Sequence, residues 1–161
     1  MKIKYKILLV DDSVEDQLLT QYALKDSATF EIISCLNNGD LAIAYFKGWH
    51  EYARRAKHPL PDLLLLDLNM PLPNGFEVLR WLKAHPQPGL VKVMLTSSEL
   101  DEDIARATAL GAHGYVVKPK SLRDMQSLQA SLITCMNVCR GTPVSASRRN
   151  LRARASKSAK P

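Results

Sequence analysis

The run Leu63-Leu64-Leu65-Leu66-Asp67-Leu68-Asn69-Met70-Pro71 decides how this chain folds. Four consecutive leucines leave no polar face, so a strand made from them must be covered on both sides. The acid that follows ends the strand at a polar edge. A strand buried on both faces belongs to a parallel sheet with helices above and below it. The rest of the sequence agrees. Lys6-Ile7-Leu8-Leu9-Val10, Phe30-Glu31-Ile32-Ile33-Ser34-Cys35, Val91-Lys92-Val93-Met94-Leu95 and Tyr115-Val116-Val117 read as four further strands.

Helical patterns lie between them. Ser13 with Asp16 three residues on is a helix start, and Leu18, Leu19, Tyr22 and Ala23 follow at helical spacing. Asn37-Asn38-Gly39 is a turn into a second helix marked by Leu41, Ala42, Tyr45, Phe46 and Trp49. Gly48 to Pro61 is the least regular stretch and is expected to be an extended helix end or a surface loop, with Trp49 and Tyr52 packing a helix-two extension. Phe76, Leu79 and Leu82 mark a third helix, broken at Pro86 to Gly89. Asp101-Glu102-Asp103 places acids in the first turn of a fourth, where the helix dipole favours them, and Gly111 closes it. Ser121 to Asp124 opens a fifth, whose stripe is Leu122, Met125, Leu128, Leu132, Cys135 and Cys139; the two cysteines read as small core residues. Five β-α units with right-handed crossovers make a doubly wound, five-stranded parallel α/β sheet.

The 161 residues, 46% of them hydrophobic, suit one domain with a short extension. No apolar run approaches the roughly 20 residues of a membrane helix, so membrane insertion is not expected. Ile7 to Val10 is too short an apolar stretch for a signal peptide. Three cysteines make no disulfide framework, and a cytoplasmic setting is expected. The net charge of +6 is concentrated at one end. Of the 22 basic residues, seven lie in residues 140–161 with no acid among them; residues 1–139 keep 15 basic against 16 acidic. The tail carries little apolar surface and is expected to be mobile in isolation, solvated or touching a partner. A nucleic-acid arm is the sharper alternative, but twenty-odd residues are too few for a helix-turn-helix unit.

In a doubly wound sheet, ligands sit outside the carboxyl ends of the strands. Those ends carry Asp11-Asp12, Asp67, Thr96-Ser97 and Lys118-Pro119. Three carboxylates, a hydroxyl and an ammonium thus converge from distant parts of the chain. Carboxylates pressed together repel one another and call for a cation, and oxygen ligands in a partly hydrated site suit Mg²⁺. Neither G-x-x-x-x-G-K-[ST] nor G-x-G-x-x-G occurs, so a nucleotide loop is not indicated. The four histidines, His50, His58, His85 and His113, lie away from the strand ends and are expected at the surface or in loops. What remains is a carboxylate nucleophile beside a divalent cation, which fits acyl phosphate formation.

These residues resemble the response-regulator receiver domain, the CheY-like fold of two-component signalling. The resemblance rests on Leu8-Leu9-Val10-Asp11-Asp12, Leu66-Asp67-Leu68-Asn69-Met70-Pro71 with Asn74-Gly75, Leu95-Thr96-Ser97 with Ser98, Gly111-Ala112, and Tyr115-Val116-Val117-Lys118-Pro119. It covers residues 5–139 and leaves 140–161 as a basic tail. The long second-helix region and the Leu-Asp-Leu-Asn-Met-Pro run are similar to the stand-alone regulators paired with bacterial phytochrome-type histidine kinases. The resemblance implies strand order 2-1-3-4-5 and a role for each position. Asp67 would be the phosphoacceptor. Asp11, Asp12 and Asp67, with the backbone carbonyl of Asn69, would hold Mg²⁺. Lys118 and Thr96 would contact the phosphoryl group, and the small Ser97 would leave access to it. Thr96 and Tyr115 would form the switch. A sensor histidine kinase would be the donor, and an unknown protein would read the face of helix four, strand five and helix five, which is also a candidate homodimer face. Such a protein signals and is not an enzyme. Two rivals differ in class. One is a Mg²⁺-dependent phosphohydrolase with an aspartyl-phosphate intermediate, disfavoured because Asn69 stands where those enzymes keep a second Asp. The other is a DNA-binding regulator using the tail.

Overall fold

The computed structural model describes residues 3–141. The tail from Thr142 onward, and the expectation that it is mobile, lie outside the described residues. Five strands, β1 (Tyr5–Val10), β2 (Phe30–Leu36), β3 (Leu63–Leu66), β4 (Val91–Thr96) and β5 (Gly114–Val117), form one parallel sheet in the order β2-β1-β3-β4-β5. The helices are α1 (Val14–Leu24), α2 (Gly39–Lys47), α3 (Gly75–Ala84), α4 (Asp101–Ala109) and α5 (Leu122–Gly141). This is the doubly wound arrangement expected, with all five strands and all five helices in the order read from the chain.

Alternation along each strand splits the core in two. Leu64 and Leu66 join Leu8, Val10, Tyr45 and Leu79 on the side covered by α2, α3 and α4. Leu63 and Leu65 join Ile7, Leu9, Leu128 and Leu132 on the side covered by α1 and α5. All four leucines of β3 are completely buried, each worth about 1.5–3 kcal/mol of transfer free energy. From β1 the chain crosses to one side, and from β3 it crosses to the other. The carboxyl ends of β1 and β3 therefore face a crevice that no connection covers.

Several local expectations change in the folded chain. Leu18 and Tyr22 of α1 are 59% and 56% exposed, whereas Thr20 and Leu24 are buried. Helix α1 shares its side of the sheet with α5, so only a narrow stripe turns inward. The segment after α2 is not a helix extension. Gly48 ends α2 in the left-handed region at φ 68°, and a short 3-10 turn covers His50–Ala53. The Arg55 guanidinium donates to the Tyr45 and Phe46 carbonyls at 2.9 Å each, satisfying the end of α2 where a cation suits the dipole. Tyr52 is buried 4.9 Å from the Tyr45 ring, centroid to centroid, whereas Trp49 is half exposed beneath the Lys47 ammonium. In α5, Leu128, Leu132, Cys135 and Met136 are buried, but Leu122, at the helix start, is 65% exposed. Cys135 and Cys139 are free thiols packed in the core beneath α5. Arg140, placed in the tail by its charge, is in α5. It pairs with Asp62 at 3.1 Å and stands over the Tyr5 ring.

His113 departs from the surface reading. It lies half-buried just before β5, and its Nδ1 accepts from the Lys92 backbone N–H at 3.0 Å while its backbone N–H donates to the Lys92 carbonyl at 2.7 Å. Burial, and then the nearby Lys92 charge, push the imidazole pKa down. A protonated Nδ1 could not accept that bond. The folded-state pKa lies below the unfolded value near 6.5. The stability linked to His113 is therefore complete above about pH 6.5 and is lost as pH falls through the depressed value. Urea unfolding at pH 7.5 and at pH 5 should show a larger loss for the wild-type protein than for His113→Gln; equal losses would dismiss the effect.

Candidate metal and phosphoryl site

Four strand ends build the site. The Asp67 backbone N–H donates to the Val10 carbonyl at 2.9 Å, which ties the end of β3 to the end of β1. The Asp11 N–H donates to Leu36 at 3.0 Å, and the Lys118 N–H donates to Thr96 at 2.8 Å. Strands β1, β3 and β5 thus each hand one hydrogen bond past their ends to a neighbour, and this lines up the side chains there. Gln17 of α1 braces the same edge, donating from Nε2 to the carbonyls of Asp11 at 2.6 Å and Leu36 at 3.2 Å.

The expected residues come together. One carboxylate oxygen each from Asp11, Asp12 and Asp67 lie within 4.8 Å of one another. Asp11 and Asp67 are buried and Asp12 is exposed. Lys118 is only 7% exposed, and its Nζ lies 2.8 Å from Asp11 Oδ2, 2.8 Å from Asp16 Oδ2 and 3.1 Å from Asp67 Oδ2. Its hydrogen bonds go to Asp16 and Asp67. Asp11 Oδ2 is close enough to feel the charge, but it has no hydrogen-bond donor. A buried carboxylate oxygen without a donor, beside two more carboxylates, suits a hard cation taking oxygen ligands. The loops hold the other oxygens. Asp11 Oδ1 accepts from the Ser13 N–H at 2.9 Å, and Asp67 Oδ1 accepts from the Asn69 N–H at 3.2 Å.

The charges respond to this crowding. Burial raises the Asp11 pKa to about 6, despite the opposing pull of Lys118 and the Ser13 N–H. Burial works against the Lys118 ammonium, but the Asp11, Asp16 and Asp67 carboxylates paired with it outweigh that, and the pKa is raised. Lys118 is held as a cation whatever the pH of the cell.

Thr96 is buried at the end of β4, and its Oγ1 accepts from the Ser98 N–H at 3.3 Å. The half-buried Tyr115 donates from its hydroxyl to the Ser98 carbonyl at 2.8 Å. Ser98 Oγ donates to Asp103 of α4 at 2.6 Å. Ser97 is exposed, leaving the approach to the pocket open.

Two contributions were not legible in sequence. Ser98 joins Thr96, Tyr115 and α4, although as a lone serine in a loop it carries no signal. Asp16 reads as the acid of a capping box, and half of that holds: Ser13 Oγ accepts from the Asp16 N–H at 3.2 Å. The Ser13 N–H, however, goes to Asp11, so the Asp16 carboxylate is released to reach Lys118. An acid in the first turn of a helix that follows Asp11-Asp12 is the one clue the chain offers.

Gly75 shows how tightly the site is backed. It opens α3, its N–H donates to the Leu68 carbonyl at 3.2 Å, and a Cβ there would run into the Asp67 carbonyl and sit 2.9 Å from Leu68 Cα. These are backbone atoms and cannot swing away. Gly75→Ala should destabilise the fold by about 1–3 kcal/mol in urea unfolding and weaken divalent-cation binding by moving Asp67. Unchanged stability and unchanged binding together would mean that the loop yields freely.

Residues 7–129 match the response regulator receiver domain. The response regulator Rcp1 of Synechocystis sp. is 36% identical over 120 residues, covering 74% of this chain and 80% of Rcp1. The crystal structure of the Mn(2+)-bound form of Rcp1 superposes with a TM-score of 0.65 at 34% identity, over 78% of this chain and 92% of that one. The phosphorylated cyanobacterial phytochrome response regulator RcpA does so with a TM-score of 0.69 at 33% identity, over 81% and 91%. The resemblance read from five separated motifs and the convergence of their acids at one sheet edge have the same source: the chain belongs to the response regulator receiver domain family.

Proposed function

We propose that this chain is a stand-alone receiver of the cytoplasm that takes a phosphoryl group from a sensor histidine kinase onto Asp67, with Mg²⁺ as cofactor, and signals by protein contact. The observation that carries this reading is the buried Asp67 carboxylate, 3.1 Å from the Lys118 ammonium and grouped with the Asp11 and Asp12 carboxylates within 4.8 Å. Mg²⁺ held by Asp11, Asp12, Asp67 and the Asn69 backbone carbonyl would neutralise phosphoryl oxygens.

The protein's own groups do the rest. An oxygen of Asp67 attacks the phosphorus of a phospho-histidine. The P–O bond forms as the P–N bond breaks, and the imidazole leaves with the electron pair. Lys118 stands against the same carboxylate and offsets the added charge, roughly −1.5 to −2 for a phosphoryl group near neutral pH. Asn69, two residues after the nucleophile, carries an amide that cannot act as a general acid or base. This favours a long-lived acyl phosphate and a signalling role over turnover.

Thr96 and Tyr115 form the switch. The Thr96 hydroxyl donates to a phosphoryl oxygen only by shifting towards it. That shift pulls on the Ser98 N–H, whose residue also holds the Tyr115 hydroxyl. The outcome is read on the face of α4, β5 and α5, where Leu100 and Leu122 are well exposed. A downstream protein or a second copy of the chain would dock there. The likeness to Rcp1 and RcpA favours a phytochrome-type kinase as donor.

Incubation with acetyl phosphate and Mg²⁺ should add one phosphoryl group by intact-mass measurement and alter the Tyr115 resonances. Asp67→Asn should abolish both changes. Labelling that survives in Asp67→Asn would place the acceptor elsewhere and sink this reading.

A further inference from the structure

Lys118 is paired with a carboxylate that stands outside the proposed metal and phosphoryl site. An ammonium has three donors. One goes to Asp67, the proposed acceptor, and one to Asp16 in the first turn of α1. Asp16 lies outside the group of carboxylates able to share a cation, which is Asp11, Asp12 and Asp67 among the described residues. Its side chain is 34% exposed, whereas that of Lys118 is 7% exposed. Asp16 thus approaches the amine from the solvent side. Its carboxylate is spared from helix capping because Asp11 takes the Ser13 N–H. The ion pair spans 102 positions of sequence, joining the start of α1 to the end of β5.

We propose that Asp16 is a positioning residue that tethers Lys118 to α1 and shares its charge, so that the pocket favours a cation and disfavours a phosphoryl anion until that tether is loosened. The inference rests on the receiver reading above and adds a residue to it. Its physical basis is a sign rule. Three carboxylates surround one ammonium. Removing the Asp16 charge makes the pocket more positive, and it lets Lys118 lean towards Asp11 and Asp67. Both effects weaken cation binding and strengthen anion binding. Structural damage would weaken both.

The test uses the full chain and the variants Asp16→Asn and Asp16→Glu. Calorimetric titration with Mg²⁺ alone should give a dissociation constant about two- to fivefold higher in Asp16→Asn, the size expected of a partly solvent-screened charge. Titration with beryllofluoride at saturating Mg²⁺, as a stand-in for the phosphoryl group, should give one lower by a similar factor. Asp16→Glu, which keeps the charge, should return both towards wild type. In the metal-free protein, the Lys118 ammonium protons should be protected from exchange by NMR in wild type and lose that protection in Asp16→Asn. Shifts of the same sign in both titrations, no shift in either, or an unchanged ammonium signal would each overturn the tether. A wild-type protein that ignores beryllofluoride would instead overturn the receiver reading, and the ammonium signal then decides the tether alone.

Discussion

The buried ammonium of Lys118 holds the carboxylates of Asp11, Asp16 and Asp67 together at the sheet edge. Asp11 and Asp67 are both hidden from water, and two buried anions side by side repel strongly. Lys118 makes their burial tolerable, and they in turn keep it charged. Removing one member of such a buried set costs about 3–5 kcal/mol, because an uncompensated charge is left behind. The compensation is incomplete, however. Asp11 Oδ2 has no donor, and its pKa is raised to about 6. A site balanced in this way suits a divalent cation, and the proposed phosphoryl transfer would draw on that residual imbalance.

The sheet makes that arrangement possible without further design. Leucines buried on both faces of β3 force helices onto both sides, and the crossovers in opposite directions from β1 and β3 leave their carboxyl ends open. Polar residues tolerated nowhere else in the core can stand there. Rigidity comes from the backbone, through bonds such as Asp67 N–H to Val10 and through the close approach of Gly75 to Asp67. Asp11, Asp12, Asp67 and Lys118 stand within two residues of a strand end, close to the hydrogen-bonded sheet that holds them.

The outward connection runs through Ser98. It offers its N–H to Thr96, its carbonyl to Tyr115 and its hydroxyl to Asp103. Ser98 therefore links the end of β4 to β5 and α4 through one residue, without a long chain of contacts. Asp16 makes a second connection, from the pocket to α1. The pocket is thus wired to helices on both sides of the sheet.

Strand identity, helix order and the acids at the strand ends were legible in the chain, because periodicity and placement are local properties. Leu63 to Leu66 could only be a strand covered twice, and Asp67 could only stand at its end. The receiver family was legible for the same reason, since each of its motifs is short and continuous. Other features depended on where distant segments met. Leu18 and Tyr22 fit a helical stripe but face solvent, because α5 takes up part of the side that α1 covers. His113 looked like a loop residue, yet it receives a backbone N–H from β4. Asp16 looked like a helix cap, and its true partner lies 102 residues away. Which groups stand at the sheet edge is written in the order of residues along the chain. Which of them share one ammonium emerges on folding, because the pairing of charges is set by distances through space that no local pattern encodes.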